Sequence, residues 1–327
     1  MQTRRDFVLR SAALAGAAAM PGQAFAQLGD YPSREIHTIC SFPVATGADI
    51  FVRMYARKLQ DLAKRTVIVE NKPGAFGNIA TEAVIKSKPD GYTVYIAPGS
   101  SVLAAAPSMF TRLPFDPIND LEHITTLIKL PFILVVAADS PYKTVADLVA
   151  DLKKRGDKGS YGSSANTGIV ASELFKANFG LETVEVKYKD SSMLLSEIIG
   201  GSILFGHIDY AGASGQISAG KIRALATTAK ERFKSLPDIP SAADAGISNS
   251  NLIAWFSVHM PKGTPAPITA QMEKWFNQIA VDPEVQTFMA KLGADPFPGT
   301  SQSLKELLAS DTKAWAEYTR LAKIERL

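Results

Sequence analysis

The sequence predicts an α/β fold of two lobes followed by a helical C-terminal third. Three observations carry that expectation. From residue 36 onward, short β-like runs alternate with amphipathic stretches, the pattern of layered α/β architecture with parallel strands. The chain has 327 residues, enough for about two domains at roughly 150 residues each. Its composition, 46% hydrophobic and 20% charged, is that of a globular chain able to bury a core without disulfide or metal staples.

The elements follow in order. A strand over 36–41 leads to a helix over 50–62, with Asp49 at its N-cap. A strand at 67–70 precedes a helix at 79–88, and a strand at 93–97 ends at Pro98-Gly99. The strand 133–138 is followed by the helix 145–154. A second set comprises helix 170–179, strand 183–187, helix 193–199, strand 203–208, helix 212–219 and strand 223–227. Two prolines make 233–240 a connector, after which come strand 255–260 and helices over 267–280, 283–292 and 301–324. No internal repeat is visible. This organisation fits a hinged binding protein or a two-domain enzyme.

In such sheets ligands sit at the carboxyl ends of strands, where loops lead into helix N-termini. The loops 42–49, 98–101, 163–168, 189–192 and 207–212 are rich in Gly, Ser, Thr, Asn and Asp. Their backbone N–H groups and hydroxyls suit an anion.

The N-terminus reads as an export signal. Thr3-Arg4-Arg5-Asp6-Phe7-Val8-Leu9 resembles the twin-arginine motif, a small-residue apolar stretch covers 11–20, and Pro21 breaks it. Ala24-Phe25-Ala26 supplies the small residues a signal peptidase needs, so cleavage is expected after residue 26, with the mature protein in the periplasm. The stretch is too short to span about 30 Å of hydrocarbon. Its removal leaves 32 basic against 31 acidic residues. That near-neutral balance, with no basic run, excludes a nucleic-acid partner.

Catalytic and metal chemistries find little support. Gly215, Gly220 and Lys221 have phosphate-loop spacing, but Ile222 stands where Ser or Thr would hold magnesium, and the glycines end a helix. His37, His123, His207 and His259 lack metal-ligand spacing. Cys40 is the only cysteine and reads as a small buried thiol. No GxSxG elbow and no marked carboxylate pair is present. The expectation is no enzyme, no cofactor and no metal.

A set of motifs, in order, then resembles one family. These are Tyr31-Pro32-Ser33-Arg34 with Phe42-Pro43, then Glu70-Asn71-Lys72-Pro73-Gly74-Ala75-Phe76-Gly77-Asn78-Ile79, and Pro89-Asp90-Gly91-Tyr92-Thr93. Leu113-Pro114-Phe115-Asp116-Pro117, Ser160-Tyr161, Gly200-Gly201, Ala219-Gly220-Lys221-Ile222-Arg223-Ala224-Leu225-Ala226 and Lys262-Gly263-Thr264-Pro265 follow. The mature chain resembles the substrate-binding proteins of the tripartite tricarboxylate transporters, also called Bug proteins. That resemblance implies a two-lobed periplasmic binding protein of type II, with a hinged interlobe cleft. Lobe 1 would take 27–129 plus 252–327, and lobe 2 would take 130–251. It also implies a monomer that holds a small carboxylate, partly through ordered waters, and hands it to a two-subunit membrane transporter driven by an ion gradient. A signalling role, with the closed form presented to a periplasmic sensor-kinase domain, is the alternative.

Carried over by the resemblance, the ligand contacts are Phe42, Gly47, Asp49, Asn78, Ser100, Ser163, Asn166, Thr167, Tyr188 and Asp209. The same loops add Thr46, Ala48, Ser101, Ser164, Asp190 and His207. Two roles fit Asn78 and Thr167, ligand contact or helix capping. Departures from the family pattern bear on the ligand. Val44, Ala45 and Thr46 replace a proline and two glycines of the first loop, and Asp190 replaces a glycine. Asp190 and Asp209 either cap helices or face the cleft, where they would repel a highly charged anion unless a cationic or hydrogen-bond-donating group lies between. The aromatic side chains of Phe42, Phe76, Tyr188, His207 and Tyr210 suit an aromatic monocarboxylate or an amino- or amide-bearing acid.

Overall fold

Ten strands join in one sheet, in the order β2-β1-β3-β9-β4-β7-β5-β6, with β8 and β10 pairing β4 beside that path. The structure is a computed structural model that describes residues 29–248 and 250–327. The expected export signal at 1–26 lies outside the described residues. Residues Tyr31–Leu327 form one compact unit.

The first part of the sheet holds β1 (Ile36–Cys40), β2 (Val67–Asn71) and β3 (Thr93–Pro98). β1 pairs in parallel with both β2 and β3, so it is a central strand, and Ile36, Thr38, Ile39 and Cys40 are all buried. A strand covered on both faces buries residues of either polarity, so Thr38 is buried with its apolar neighbours, while His37 is half-buried and meets Glu70. Helix α1 (Gly47–Ala63) follows β1, and α2 (Asn78–Ile85) follows β2. α1 buries Phe51, Val52, Tyr55 and Leu59 on one stripe and keeps charged residues on the other, as helical periodicity requires. A π-turn (Ser100–Ala104) and the short helix α3 (Ala106–Met109) follow β3.

β4 (Leu121–Ala137) ties the sheet together. Its first part pairs antiparallel with β9 (Ile253–Pro261), and its last residues pair with β7 (Phe205–Asp209) and β8 (Ile222–Thr227). β5 (Ser160–Ser163) runs parallel to β6 (Val184–Lys187) and β7. Around this second part lie α4 (Val145–Arg155), α5 (Asn166–Phe179), α6 (Ser191–Ile199) and α7 (Tyr210–Ser218). The C-terminal third supplies α8 (Ala266–Ala280), α9 (Pro283–Lys291), the two-residue β10 (Asp295–Pro296) and α10 (Ser301–Leu321). α10 packs Leu304, Leu308 and Trp315 into one apolar cluster with Val170, Ala171 and Leu174 of α5, so it bridges the two parts of the sheet. The fold is mixed α/β, one sheet in two parts with helices flanking both.

Several expectations need correction. The strand expected at 133–138 is the end of a much longer β4. His123, Thr125, Thr126 and Lys129 interrupt its apolar pattern, yet the first three are buried and hydrogen-bonded. Thr125 Oγ1 donates to Asn277 Oδ1 at 2.8 Å. Asp49 is not the N-cap of the first helix: Thr46 is, with its Oγ1 accepting from the Asp49 amide at 3.4 Å. Helix α5 begins at Asn166 rather than 170, and α7 begins at Tyr210 rather than 212, capped by Asp209. The β5 strand went unrecognised because Gly162 and two serines make up most of its four residues.

Across β4 and β9, His123 and His259 face each other with Nδ1 atoms 2.8 Å apart. The Ile118 carbonyl can only accept, so His123 Nε2 donates to it at 2.8 Å. His123 Nδ1 is then the acceptor from His259 Nδ1–H, and His259 Nε2 accepts from Ser257 Oγ at 2.7 Å. Burial disfavours the charged form of both rings, and this donor order is the one that neutral rings allow.

Candidate functional site

Strand ends converge on one cavity of about 530 Å3 between the two parts of the sheet. The loops leaving β1, β2, β3, β5 and β6 contribute to its wall, as does the end of β7. Five of these junctions lead into the N-termini of α1, α2, α5, α6 and α7, where backbone N–H groups lack intrahelical partners. β4 and β9 form the floor through Leu130, Phe132, Ala254 and Phe256.

Ten of the sixteen candidates line this cavity: Phe42, Thr46, Gly47, Ala48, Ser101, Ser163, Ser164, Tyr188, Asp190 and Asp209. Thr46, Gly47 and Ala48 stand at the start of α1, and the Thr46 hydroxyl donates to the Pro43 carbonyl at 2.8 Å. Ser163 Oγ donates to Glu185 Oε1 on the neighbouring strand. Asp190 caps α6, its Oδ1 accepting from the Met193 amide at 3.0 Å. Asp209 caps α7, its Oδ1 accepting from the Gly212 amide at 2.7 Å. The same carboxylate lies against Gly47, where a Cβ would collide with Oδ1. Burial pushes the Asp209 carboxyl above the ordinary value, opposed by hydrogen bonds from backbone amides.

The other six, Asp49, Asn78, Ser100, Asn166, Thr167 and His207, are buried and do not line the cavity. Asp49 accepts from the Ala45 amide, Arg53 Nε and Asn71 Nδ2 at 2.8–2.9 Å. Burial opposes its ionisation, but these donors together hold the carboxyl below its usual value. It therefore fixes the first turn of α1 against β2. Ser100 Oγ accepts from Trp315 Nε1 at 3.1 Å, and His207 Nδ1 meets Ser172 Oγ at 2.9 Å. Asn166 Nδ2 donates to the Ser101 carbonyl at 3.2 Å, a link between the two parts of the sheet.

Neither Asn78 nor Thr167 caps its helix. The N-cap positions are Gly77 and Ala165, and neither helix start has a side-chain cap. Instead Asn78 Oδ1, Asn166 Oδ1 and Thr167 Oγ1 are buried without hydrogen-bond partners among the described residues, as is Ser41 Oγ on the cavity wall. Leaving a buried polar atom unpaired costs about 1–3 kcal/mol. Four such atoms at three of the converging strand-to-helix junctions are a concentration of hydrogen-bonding capacity around the cavity.

Sequence reasoning missed much of the apolar wall. Phe51, Leu130, Phe132, Ile169, Ile208 and Phe256 sit inside elements, where only their helical or strand periodicity showed, and that marks core equally well. Phe76 is carried on an unusual turn. Gly74, Ala75, Phe76 and Gly77 all have positive φ, at 128°, 45°, 52° and 100°. Two non-glycine residues in the left-handed region are a local strain of the kind that persists where surrounding structure enforces it. Lys187 and Lys189, both exposed, also border the cavity. Cys40 lies just behind it, its thiol pushed up to about 11 by burial and so unreactive at neutral pH. Among the described residues no cluster of His, Cys, Asp or Glu could hold a metal ion, and no helix is long and apolar enough to cross a membrane.

Comparison with known proteins bears on this geometry. The profile of the family described as "Tripartite tricarboxylate transporter family receptor" matches residues 51–322. Protein BugT of Bordetella pertussis is 28% identical over 292 residues, covering 89% of this chain and 90% of that protein. Among solved structures, R. palustris Rpa4515 with adipate superposes with a TM-score of 0.85 at 28% identity, covering 91% of this chain and 100% of the other. The periplasmic binding protein BugD superposes with a TM-score of 0.83 at 26% identity, with the same coverages.

Proposed function

The chain belongs to the tripartite tricarboxylate transporter receptor family, of the Bug group, and from that premise we propose that it captures a small carboxylate in the cavity and delivers it to a two-subunit membrane transporter. The observation that carries the ligand class is the convergence of helix N-termini and serine hydroxyls on one cavity. Such junctions stabilise an anion without a full positive charge. The R. palustris relative solved with adipate supports the same class.

In this reading the ten lining candidates touch the ligand or its hydration shell, and the six buried ones position them. The unpaired atoms of Ser41, Asn78, Asn166 and Thr167 supply places for ordered water, which needs two to four polar partners. Lobe 1 comprises 27–129 with 252–327, and lobe 2 comprises 130–251. The protein works as a monomer in the periplasm. Phe42, Phe51, Phe76, Phe132 and Phe256 on the wall favour a ligand with an apolar or aromatic body, or an acid bearing an amino or amide group. Its work is binding: the open form exchanges ligand, and a ligand bridging both lobes shifts the population toward the closed form.

The test is a titration-calorimetry panel of aliphatic, aromatic and amino-bearing carboxylates on the purified protein. Micromolar or tighter binding of one acid class supports the reading. Binding of uncharged amides or sugars in preference to every acid would sink it.

A further inference from the structure

Resting on the carboxylate-receptor reading above, we propose that Asp209 selects ligands by charge: it favours an acid with one carboxylate and a hydrogen-bond donor at the far end, and disfavours an acid with a second carboxylate. Asp209 ends β7 and lines the cavity. Its side chain is wedged between the first turn of α7, through the Gly212 amide, and Gly47 at the start of α1. The Gly212 amide anchors it, and the start of α1 packs closely against it.

No cation neutralises it. Among the described residues Asp209 takes part in no ion pair, and no side chain donates to it; its donors are the backbone amides of Gly212 and of Asp209 itself. Arg53, the basic residue of α1 nearest the site in sequence, is committed to Asp49 and Asn71. No arginine lines the cavity. The two lining lysines, Lys187 and Lys189, are exposed, and Lys187 faces Glu185 at 3.9 Å. The hydroxyls of Thr46 and Ser163 already donate within the protein. A ligand carboxylate therefore has the serine-lined junctions available to it, while the Asp209 side offers a carboxyl that no cation pairs. Because burial already raises the Asp209 carboxyl, a second carboxylate placed there shares the desolvated site only if one of the two carboxyls takes up a proton, and that cost weakens the diacid. An ammonium, amide or hydroxyl meets a fixed acceptor instead.

Two matched series of acids test this on the full mature protein by titration calorimetry. The first is hexanoate, 6-aminohexanoate and adipate; the second is benzoate, 4-aminobenzoate and terephthalate. In at least one series the amino-bearing acid should bind about tenfold or more tighter than the diacid, the scale of one hydrogen bond to a charged group. The plain acid should fall between them. Asp209→Asn keeps the cap on Gly212, because asparagine is a good N-cap, and should bring amino acid and diacid to within about threefold of each other. Wild type that binds the diacid as tightly as the amino-bearing acid overturns the assignment and leaves the receptor reading intact. An unchanged ratio in a folded Asp209→Asn protein overturns it too. If that variant fails to fold, the wild-type ratio decides alone. Failure of wild type to bind any of the six acids would sink the carboxylate reading, and this inference with it.

Discussion

At the scale of single residues, Gly47 and Asp209 meet across the two parts of the sheet with no room to spare. Gly47 has an ordinary negative φ, so it is required by space and not by backbone conformation: a Cβ there would strike Asp209 Oδ1 and lie 3.3 Å from Ala211 Cβ. Gly47→Ala should therefore obstruct closure while leaving each lobe folded. Overpacking of this kind costs about 1–3 kcal/mol, so ligand affinity should fall by about tenfold or more, with a melting temperature of the ligand-free protein within a few degrees of wild type. Affinity equal to wild type would show that this contact does not form in the bound state. Residue roles were only partly legible beforehand. The loops and the polar residues in them could be picked out because turn chemistry is local. Whether Asn78 or Thr167 caps a helix depends on where that helix begins, and the start of α5 lies four residues earlier than its apolar pattern suggested.

At the scale of elements, the pair β4 and β9 carries three neutral histidines in or beside it, and these set an acid limit. Burial lowers the pKa of His123 and of His259, the latter further disfavoured by its neighbour His123. His207 on β7 is lowered by burial to about 3. In the unfolded chain each titrates near 6.5. The unfolded state therefore binds more protons below that pH, and stability present above about 6.5 is lost as pH falls. His207 alone accounts for about 2 kcal/mol between pH 7.5 and pH 5. Carboxylates with lowered pKa, such as Asp49 and Glu122, withdraw their contribution only at lower pH, below about 4. Urea unfolding at pH 7.5 and pH 5.0 should thus show a fall of several kcal/mol; equal free energies would contradict the neutral pair. The same strand explains why half of β4 escaped notice. His123, Thr125 and Thr126 break the apolar run, and their partners across the fold, His259, Asn277, Phe297 and Gly299, lie more than 130 residues away. Long-range satisfaction of a buried polar group leaves no local pattern.

At the scale of the whole molecule, the alternation of strands and helices was enough to identify the α/β class, because each βα unit announces itself over some thirty residues. The union of both parts of the sheet through β4 was not readable, since pairing partners distant in sequence carry no periodic signal. Closure follows from that union: with β4 continuous through both parts and α10 bridging them, movement is restricted to bending about a few crossing segments. A saturating ligand should shrink the radius of gyration in small-angle scattering and, at about 100 times Kd, raise stability by about 2.7 kcal/mol. An unchanged scattering curve at saturation would rule out a hinged response. The strand order also has a consequence for how the protein is made. β9 lies between β3 and β4, yet it begins only at Ile253, long after β4 ends at Ala137. At about 5–20 residues per second, a ribosome takes on the order of ten seconds to cross that interval. Throughout it β3 and the first part of β4 have emerged with their facing edges bare, the state most open to wrong pairing. The middle of the chain, where β4 to β8 follow one another, is complete before the beginning is. In a nascent chain of this protein the centre can therefore pair first, while the sheet that holds β3 waits for its last third.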